Sequence, residues 1–292
     1  MSVGSLIATG FATVLTPTGI FLMFIGVAVG IVFGALPGLS ATMAIALFLP
    51  VTYAMASADA MTLLMALFIG AISGGLISAI LLREHPGTAI VTDSITSTGL
   101  AKFIAGRGGV HRRFRRGYRN VINEALRLNA AGQDCQLAIE TSGHAAMKEN
   151  YFLDDGAYLV TKFLIELACG RDLEAMIADL AEPAESREFR MKITDADFKA
   201  AGQAVLDELA RYAAVQPGWS VEKENYEGVR VNLDRSHGDG WFLLRLSLHD
   251  PLLPLNIESD SPGGLKCIAR ELAPFLAEQH SIDAAAVLEA AI

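Results

Sequence analysis

Glu140-Thr141-Ser142-Gly143-His144 places a carboxylate, a hydroxyl and an imidazole around one glycine within five residues. A carboxylate accepts two hydroxyl protons, a serine hydroxyl donates or accepts, and glycine lets backbone come close to a ring-shaped ligand. Further on, Arg245-Leu246-Ser247-Leu248-His249-Asp250-Pro251 follows the apolar run GWFLL. A guanidinium grips phosphate through two parallel N–H bonds, and a serine adds a hydroxyl donor.

Other residues carry weaker signals. Arg112, Arg113, Arg115, Arg116 and Arg119 form a basic cluster, which by itself fits a membrane surface, nucleic acid or a solvated face. The net charge of -9 argues against nucleic acid, since phosphate-backbone binding needs a basic surface. Asp154-Asp155-Gly156 lacks the further ligands of a metal loop and reads as a helix start. His111, His237 and His280 have no partner pattern and read as surface or core residues. Cys135, Cys169 and Cys267 are scattered and odd in number, which supports neither a disulfide framework nor a zinc site.

The elements that must position these groups alternate between strand and helix. TAIVTD, VHRRF and QLAIE read as strands, and YRNVINEALRLNA and DDGAYLVTKFLIELA as helices. The carboxylates Asp154 and Asp155 suit the second helix's N-terminus. This alternation predicts an α/β layer domain over residues 83–182. A Pro-containing acidic break, Ala181-Glu182-Pro183, predicts a boundary between residues 181 and 193. Thr194 and Asp197 then read as a capping box for the helix DFKAAGQAVLDELARYAA. The strands VRVNLD, GWFLLRLSL and LPLNIES and the helix GLKCIARELAPFLAEQ complete a small α+β domain over residues 190–292.

Residues 1–82 differ in kind. Of 55 charged residues, Asp59 alone lies there; the other 54 follow from Arg83 onward. Residues 18–36 and 61–82 are each long and apolar enough to predict a membrane-spanning helix, with no signal-peptide pattern before them. Gly26, Gly30 and Gly34 share one helix face, as close helix packing requires. Leu36-Pro37-Gly38-Leu39-Ser40-Ala41-Thr42-Met43-Ala44 breaks the helical pattern at membrane depth. The reading is of a membrane protein held in the bilayer through residues 1–82, its soluble part on the cytoplasmic side because Arg83 and the arginine cluster follow the apolar run. Residues 61–84 are expected to form one helix, stopped by Pro86-Gly87.

Two resemblances follow from these motifs. The LPGLSATMA break, GAISGG, Pro50 and Tyr53 resemble the start of the large membrane subunit of tripartite tricarboxylate transporters, over residues 15–82. Glu140-Thr141-Ser142-Gly143-His144 and Arg245-Leu246-Ser247-Leu248-His249-Asp250-Pro251, in that order, resemble the third and fourth domains of the phosphohexomutase superfamily, over residues 76–292. The second resemblance implies a hexose phosphate as partner. Glu140, Ser142 and His144 would meet the sugar, Arg245, Ser247 and His249 the phosphate, and Arg119, with Gly117 and Tyr118, would lie in a loop contacting the sugar phosphate. The chain departs from the family at Leu248, usually Gly, at His249, usually Thr, and at Pro254, often a second Arg. The family's phosphoserine loop and its Asp-x-Asp-x-Asp-Arg magnesium loop do not occur in this sequence. The expectation is a ligand-binding half without catalytic residues, cofactor or metal of its own. The alternatives are a truncated transporter subunit and a membrane-tethered sugar-phosphate sensor. Leu76–Leu82, LISAILL, fits both parents and marks the expected join of a gene fusion, of the kind that recombination or an assembly error between two genes would produce rather than a selected fusion.

Overall fold

The computed structural model describes residues 16–35, 48, 51–52, 55–247 and 250–292. The expected LPGLSATMA break, Pro50, Tyr53, Leu248 and His249 lie outside the described residues. The chain divides into two compact units. The first comprises the described residues up to Thr92 with Leu100–Arg112 and Gly117–Leu180; the second comprises Asp93–Gly99, Arg113–Arg116 and Ala181–Ile292.

The first unit opens with helices α1 (Pro17–Ala35) and α2 (Ser57–Glu84). There follow β1 (Ala89–Thr92), α3 (Thr98–Gly106), β2 (Val110–Arg113), α4 (Tyr118–Ala130), β3 (Cys135–Ile139), β4 (Ala145–Met147) and α5 (Gly156–Ala168). The sheet order is β2-β1-β3-β4, with β1 and β3 parallel and β4 antiparallel to β3. A continuous helix over residues 61–84 was expected and is present; it ends at His85, just before the Pro86-Gly87 stop.

Two membrane-spanning helices were expected over residues 18–36 and 61–82, and helices α1 and α2 occupy these segments. Among the described residues, no helix is long and apolar enough to cross a membrane. The second expected span loses its last third to the protein interior. Leu76, Ile77, Ile80, Leu81 and Leu82 of α2 are buried against Ile90, Ile104, Leu137, Leu159 and Phe163. A helix that is apolar all round can be buried in a protein or in lipid, and sequence alone does not choose between them. Each such side chain taken from water contributes roughly 1.5–3 kcal/mol. On α1 the pattern differs: Phe21 and Phe24 are exposed.

The second unit is built on a six-stranded antiparallel sheet. Its strands are β5 (Glu185–Ile193), β6 (Trp219–Val221), β7 (Val229–Leu233), β8 (Gly240–Leu244), β9 (Leu252–Ser259) and β10 (Ile282–Asp283). The order is β10-β5-β9-β8-β7-β6. Helices α6 (Phe198–Ala213) and α7 (Gly264–Ala277) close the core on one face with Phe189, Met191, Val231, Phe242, Leu255 and Ile257. The residues expected to form a boundary up to 193 are instead strand β5, paired to β9 along eight residues. Phe189, Met191 and Ile193 are buried while Arg190 and Lys192 are exposed, the alternation of a half-buried strand. Helix α6 is capped by Asp197, which accepts from Ala200 N at 3.1 Å; the expected Thr194 cap is not used. Asp155 accepts from Tyr158 N at 3.1 Å, so the acidic residues before α5 do serve as a helix start.

Candidate functional site

The residues singled out in the sequence fall in both units. Parallel pairing of β3 with β1 carries the chain to Glu140, at the end of a fully buried strand. Glu140, Thr141, Ser142 and Gly143 then form a tight connection into β4. Glu140 N donates to His144 O at 2.9 Å, and Gly143 N donates to Glu140 O at 3.0 Å. Gly143 has a φ of 91°, which side chains rarely adopt and which this connection needs. The turn fixes the positions of the polar groups.

The Glu140 carboxylate is buried, and its Oε1 accepts from Gly117 N at 2.6 Å. Its Oε2 lies 3.5 Å from Ser142 Oγ, at the outer limit of a hydrogen bond. Gly117, with a φ of 115°, precedes α4, whose first residues are Tyr118 and Arg119. The His144 ring lies 5.5 Å from that of Tyr118, and Arg119 Nε donates to Tyr118 Oη at 3.0 Å. His144 Nδ1 meets Asp154 Oδ2 at 2.7 Å, while Asp154 Oδ1 accepts from Ala145 N. The first unit therefore brings Arg119, Glu140, Ser142 and His144 into one cluster, with the carboxylate and the imidazole each anchored by one atom. Anchored acceptors and donors around a glycine turn suit neutral hydroxyls.

The arginines before Gly117 are mostly engaged. Arg112 Nε donates to buried Glu124 at 3.0 Å, and Arg127 donates to both oxygens of the same carboxylate. Hydrogen bonds from Arg127 and Arg112 hold the Glu124 carboxyl below its usual range, against the opposing effect of burial. His111 Nε2 meets Thr92 Oγ1 at 2.8 Å, and His237 is held by Asp234, so both have partners that their sequence context did not suggest.

In the second unit, Arg245 follows β8, and its N donates to Pro254 O at 3.1 Å. Its guanidinium is largely enclosed, and Nε is buried without a hydrogen-bond partner. Burial pushes its pKa down, with Glu227 opposing and Arg116 reinforcing the shift. Ser247 N donates to Leu252 O at 3.0 Å, and Ser247 Oγ accepts from Asp250 N at 3.3 Å. The hydroxyl thereby shapes the turn while keeping its proton to donate.

Sequence reasoning missed a buried polar layer on the sheet face opposite α6 and α7. Arg230 is 1% exposed, with its guanidinium 3.5 Å from the centre of the Trp241 ring and Nη1 donating to Ser94 O at 3.0 Å. Burial drives its pKa well below the usual arginine range, and neighbouring Arg113 adds to the effect. Glu258 accepts from Trp241 Nε1, Ser97 Oγ and Thr98 N. Buried Asp93 accepts from Thr96 Oγ1 at 2.9 Å. Glu227 Oε2 accepts from Ser94 Oγ and from Arg116 N. The period of two in VRVNL reads Arg230 as facing solvent. It is buried because Asp93–Gly99 and Arg113–Arg116 cover that face, a long-range event that no local pattern announces.

Among the described residues, no three His, Cys, Asp or Glu side chains converge as a metal ion would require. Those residues offer no donor set for the magnesium that the family resemblance implies.

Known proteins share this architecture. Residues 70–184 match the family model of phosphoglucomutase/phosphomannomutase, alpha/beta/alpha domain III. Residues 20–96 match that of the tripartite tricarboxylate transporter TctA family. The two matches overlap across residues 70–96, which takes in Leu76–Leu82. The chain is 27% identical over 191 residues to a phosphoglucomutase of Neisseria meningitidis, covering 65% of this chain and 38% of that protein. It is 29% identical over 188 residues to a phosphomannomutase/phosphoglucomutase of Pseudomonas aeruginosa, covering 63% and 37%. Among solved structures, a phosphoglucomutase/phosphomannomutase family protein of Burkholderia thailandensis superposes with a TM-score of 0.56 at 25% identity, over 71% of this chain and 42% of that one. The chain spans less than two-fifths of the length of these curated relatives. Phosphohexomutase-like α/β architecture behind a transporter-like leader is thus what the chain resembles.

Proposed function

We propose that this chain binds a hexose phosphate, as the C-terminal half of a phosphohexomutase would, and does not by itself carry out phosphoryl transfer. The observation that carries the binding claim is the anchored Glu140 carboxylate beside Ser142 and His144, in the part of the chain that matches the mutase third domain. Glu140 and Ser142 would hold sugar hydroxyls, with His144 and Arg119 alongside. Arg245 and Ser247 would hold the phosphate, since a charged donor with an unengaged Nε suits an anion. Phosphoryl transfer needs an activated nucleophile and neutralisation of charge on the phosphate. The residues of this sequence supply recognisable ligands for binding and no phosphoserine loop.

Two recognition loops of this kind support a Kd of roughly a millimolar, about -4 kcal/mol. Calorimetric titration of the full chain with glucose 1-phosphate is expected to give that affinity. Arg245→Ala is expected to weaken it at least tenfold, because a hydrogen bond to a charged group contributes roughly 1.5–3 kcal/mol. Equal affinity in the variant would remove the phosphate role from Arg245.

The transporter-like match supports a second, compatible reading: residues 1–82 associate with a bilayer, and the remainder lies on its cytoplasmic side. Exposed Phe21 and Phe24 and the charge step at Arg83 support it. A C-terminal reporter active only on the periplasmic side would overturn this orientation.

A further inference from the structure

We infer that Asp154 is a positioning residue for His144: it holds the imidazole as the Nδ1–H tautomer and so presents Nε2 as an acceptor for a sugar hydroxyl. The inference deepens the reading above and rests on it for the identity of the ligand. All of its parts lie in the first unit. Asp154-Asp155-Gly156 reads in the sequence as a helix start, and of the two carboxylates it is Asp155 that caps α5. Asp154 turns back to β4 instead. Its backbone bridges to Ala146, its Oδ1 accepts from Ala145 N at 3.1 Å, and its Oδ2 lies 2.7 Å from His144 Nδ1. Both carboxylate oxygens are therefore engaged by the stretch that begins at His144.

The chain between β4 and Asp154 is bent to reach this place. Tyr151 and Phe152 have φ of 55° and 54°, the left-handed region that side chains other than glycine rarely occupy. Phe152 N donates to Met147 O at 2.9 Å, Leu153 N donates to Asn150 O at 3.0 Å, and the Phe152 side chain is buried, so the return is fixed. Two consecutive residues at positive φ are a costly turn, and such strain persists only where the surroundings hold it. The position of Asp154 against His144 is what the turn secures.

The tautomer follows from the partner. An ionised carboxylate has no proton to give, so the proton in the 2.7 Å contact sits on Nδ1. A neutral imidazole carries one N–H, and Nε2 is left with its lone pair. The Tyr118 ring, 5.5 Å away, flanks the imidazole, and the His144 side chain is 53% exposed, so a ligand can reach it. The turn then offers two kinds of acceptor, the Nε2 lone pair and the Glu140 carboxylate. Acceptors of this kind match hydroxyl donors and not a phosphate.

The test uses the full chain labelled with 15N-histidine and 15N-arginine, at about pH 8, above the ordinary imidazole range. Long-range 1H–15N correlation reads which nitrogen of each ring carries the proton, and the signal lost in His144→Gln identifies His144. A protonated Nδ1 and a bare Nε2 are expected. The Nε2 signal is expected to shift on titration with glucose 1-phosphate and to stay fixed with inorganic phosphate. In Asp154→Asn the amide oxygen stays with Ala145 N and the NH2 faces the ring. The tautomer is then expected to invert to Nε2–H, and glucose 1-phosphate to bind about fivefold more weakly. An Nε2–H tautomer in the parent chain, or an unchanged Nδ1–H form in Asp154→Asn, overturns the inference. So does an Nε2 signal that stays fixed while the Arg245 side chain responds to glucose 1-phosphate, and in that case the binding reading survives. If glucose 1-phosphate moves no resonance of the chain, the binding reading and the hydroxyl role fail together. The parent chain's own nitrogens decide the matter even where Asp154→Asn does not fold.

Discussion

The loop after β3 and the loop after β8 approach ligand recognition in opposite ways. The first is held by its own neighbours: the Gly117 amide donates to Glu140, a glycine turn fixes the connection, and the Asp154 carboxylate meets the His144 ring. Its polar groups are positioned before any ligand arrives. The second keeps a cationic side chain in a largely enclosed place with one N–H unsatisfied. Burying a charge without full pairing costs several kcal/mol. The comparison teaches that the first loop has its polar groups held in place, whereas the second leaves a buried N–H that the proposed anion would satisfy.

The largest expected effect comes from breaking the second loop's support. Gly228→Val places a side chain at a positive φ and against Leu244 O, so the β7–β8 pairing cannot hold its present geometry. A loss of about 3 kcal/mol or more is expected, as for strained backbone combined with overpacking. Both tryptophans, Trp219 and Trp241, lie in the second unit, so their fluorescence during urea unfolding reports this loss directly. An unchanged midpoint would mean that the contact is slack and that Arg245 is not fixed by it.

A smaller effect is expected at the first loop. Glu140→Gln keeps an oxygen for the Gly117 amide but removes the charge and one acceptor. Stability is expected to fall by no more than about 1 kcal/mol, and glucose 1-phosphate affinity severalfold, while inorganic phosphate binding stays unchanged. A parallel loss of inorganic phosphate binding would contradict the division of labour between the loops.

The smallest effect is a dependence on pH in the first unit. Glu166 is buried, and Arg83 hydrogen bonding, helped by Arg171, holds its carboxyl below the usual range; Glu124 is held down in the same way by Arg127 and Arg112. A carboxyl whose folded pKa is depressed contributes stability that is present above the unfolded value of about 4.5 and is lost as pH falls through the folded value. Hydrogen exchange in β3 is therefore expected to accelerate below about pH 4.5, and Glu166→Gln should flatten that dependence. Acceleration in β8 with none in β3 would reverse the comparison.

The two loops were not equally legible in the sequence. Glu140-Thr141-Ser142-Gly143-His144 could be read because its geometry is local: a buried strand, a glycine turn and a returning strand. Most of the strands and helices could be read for the same reason, from periodicity. The end of helix α2 stayed open between two readings because an apolar face toward protein looks the same as one toward lipid; Leu76–Leu82 belong to the core through long-range packing on Ile90, Leu137 and Phe163. Strand β5 was passed over because the Pro-containing acidic break just before it and the capping residues just after it marked the interval as a boundary. Arg230 and its partners were invisible because Ser94 lies 136 positions away along the chain. Local patterns contain no information about such pairings.

The central claim is binding without turnover, and 31P NMR of glucose 1-phosphate mixed with the full chain tests both halves at once. The account predicts a saturable change in the phosphate resonance with a Kd of about a millimolar, much reduced in Arg245→Ala, and no glucose 6-phosphate signal. A resonance that ignores the protein would contradict the binding claim. A growing glucose 6-phosphate signal would show that the chain supplies a phosphoryl carrier that its sequence and structure do not reveal.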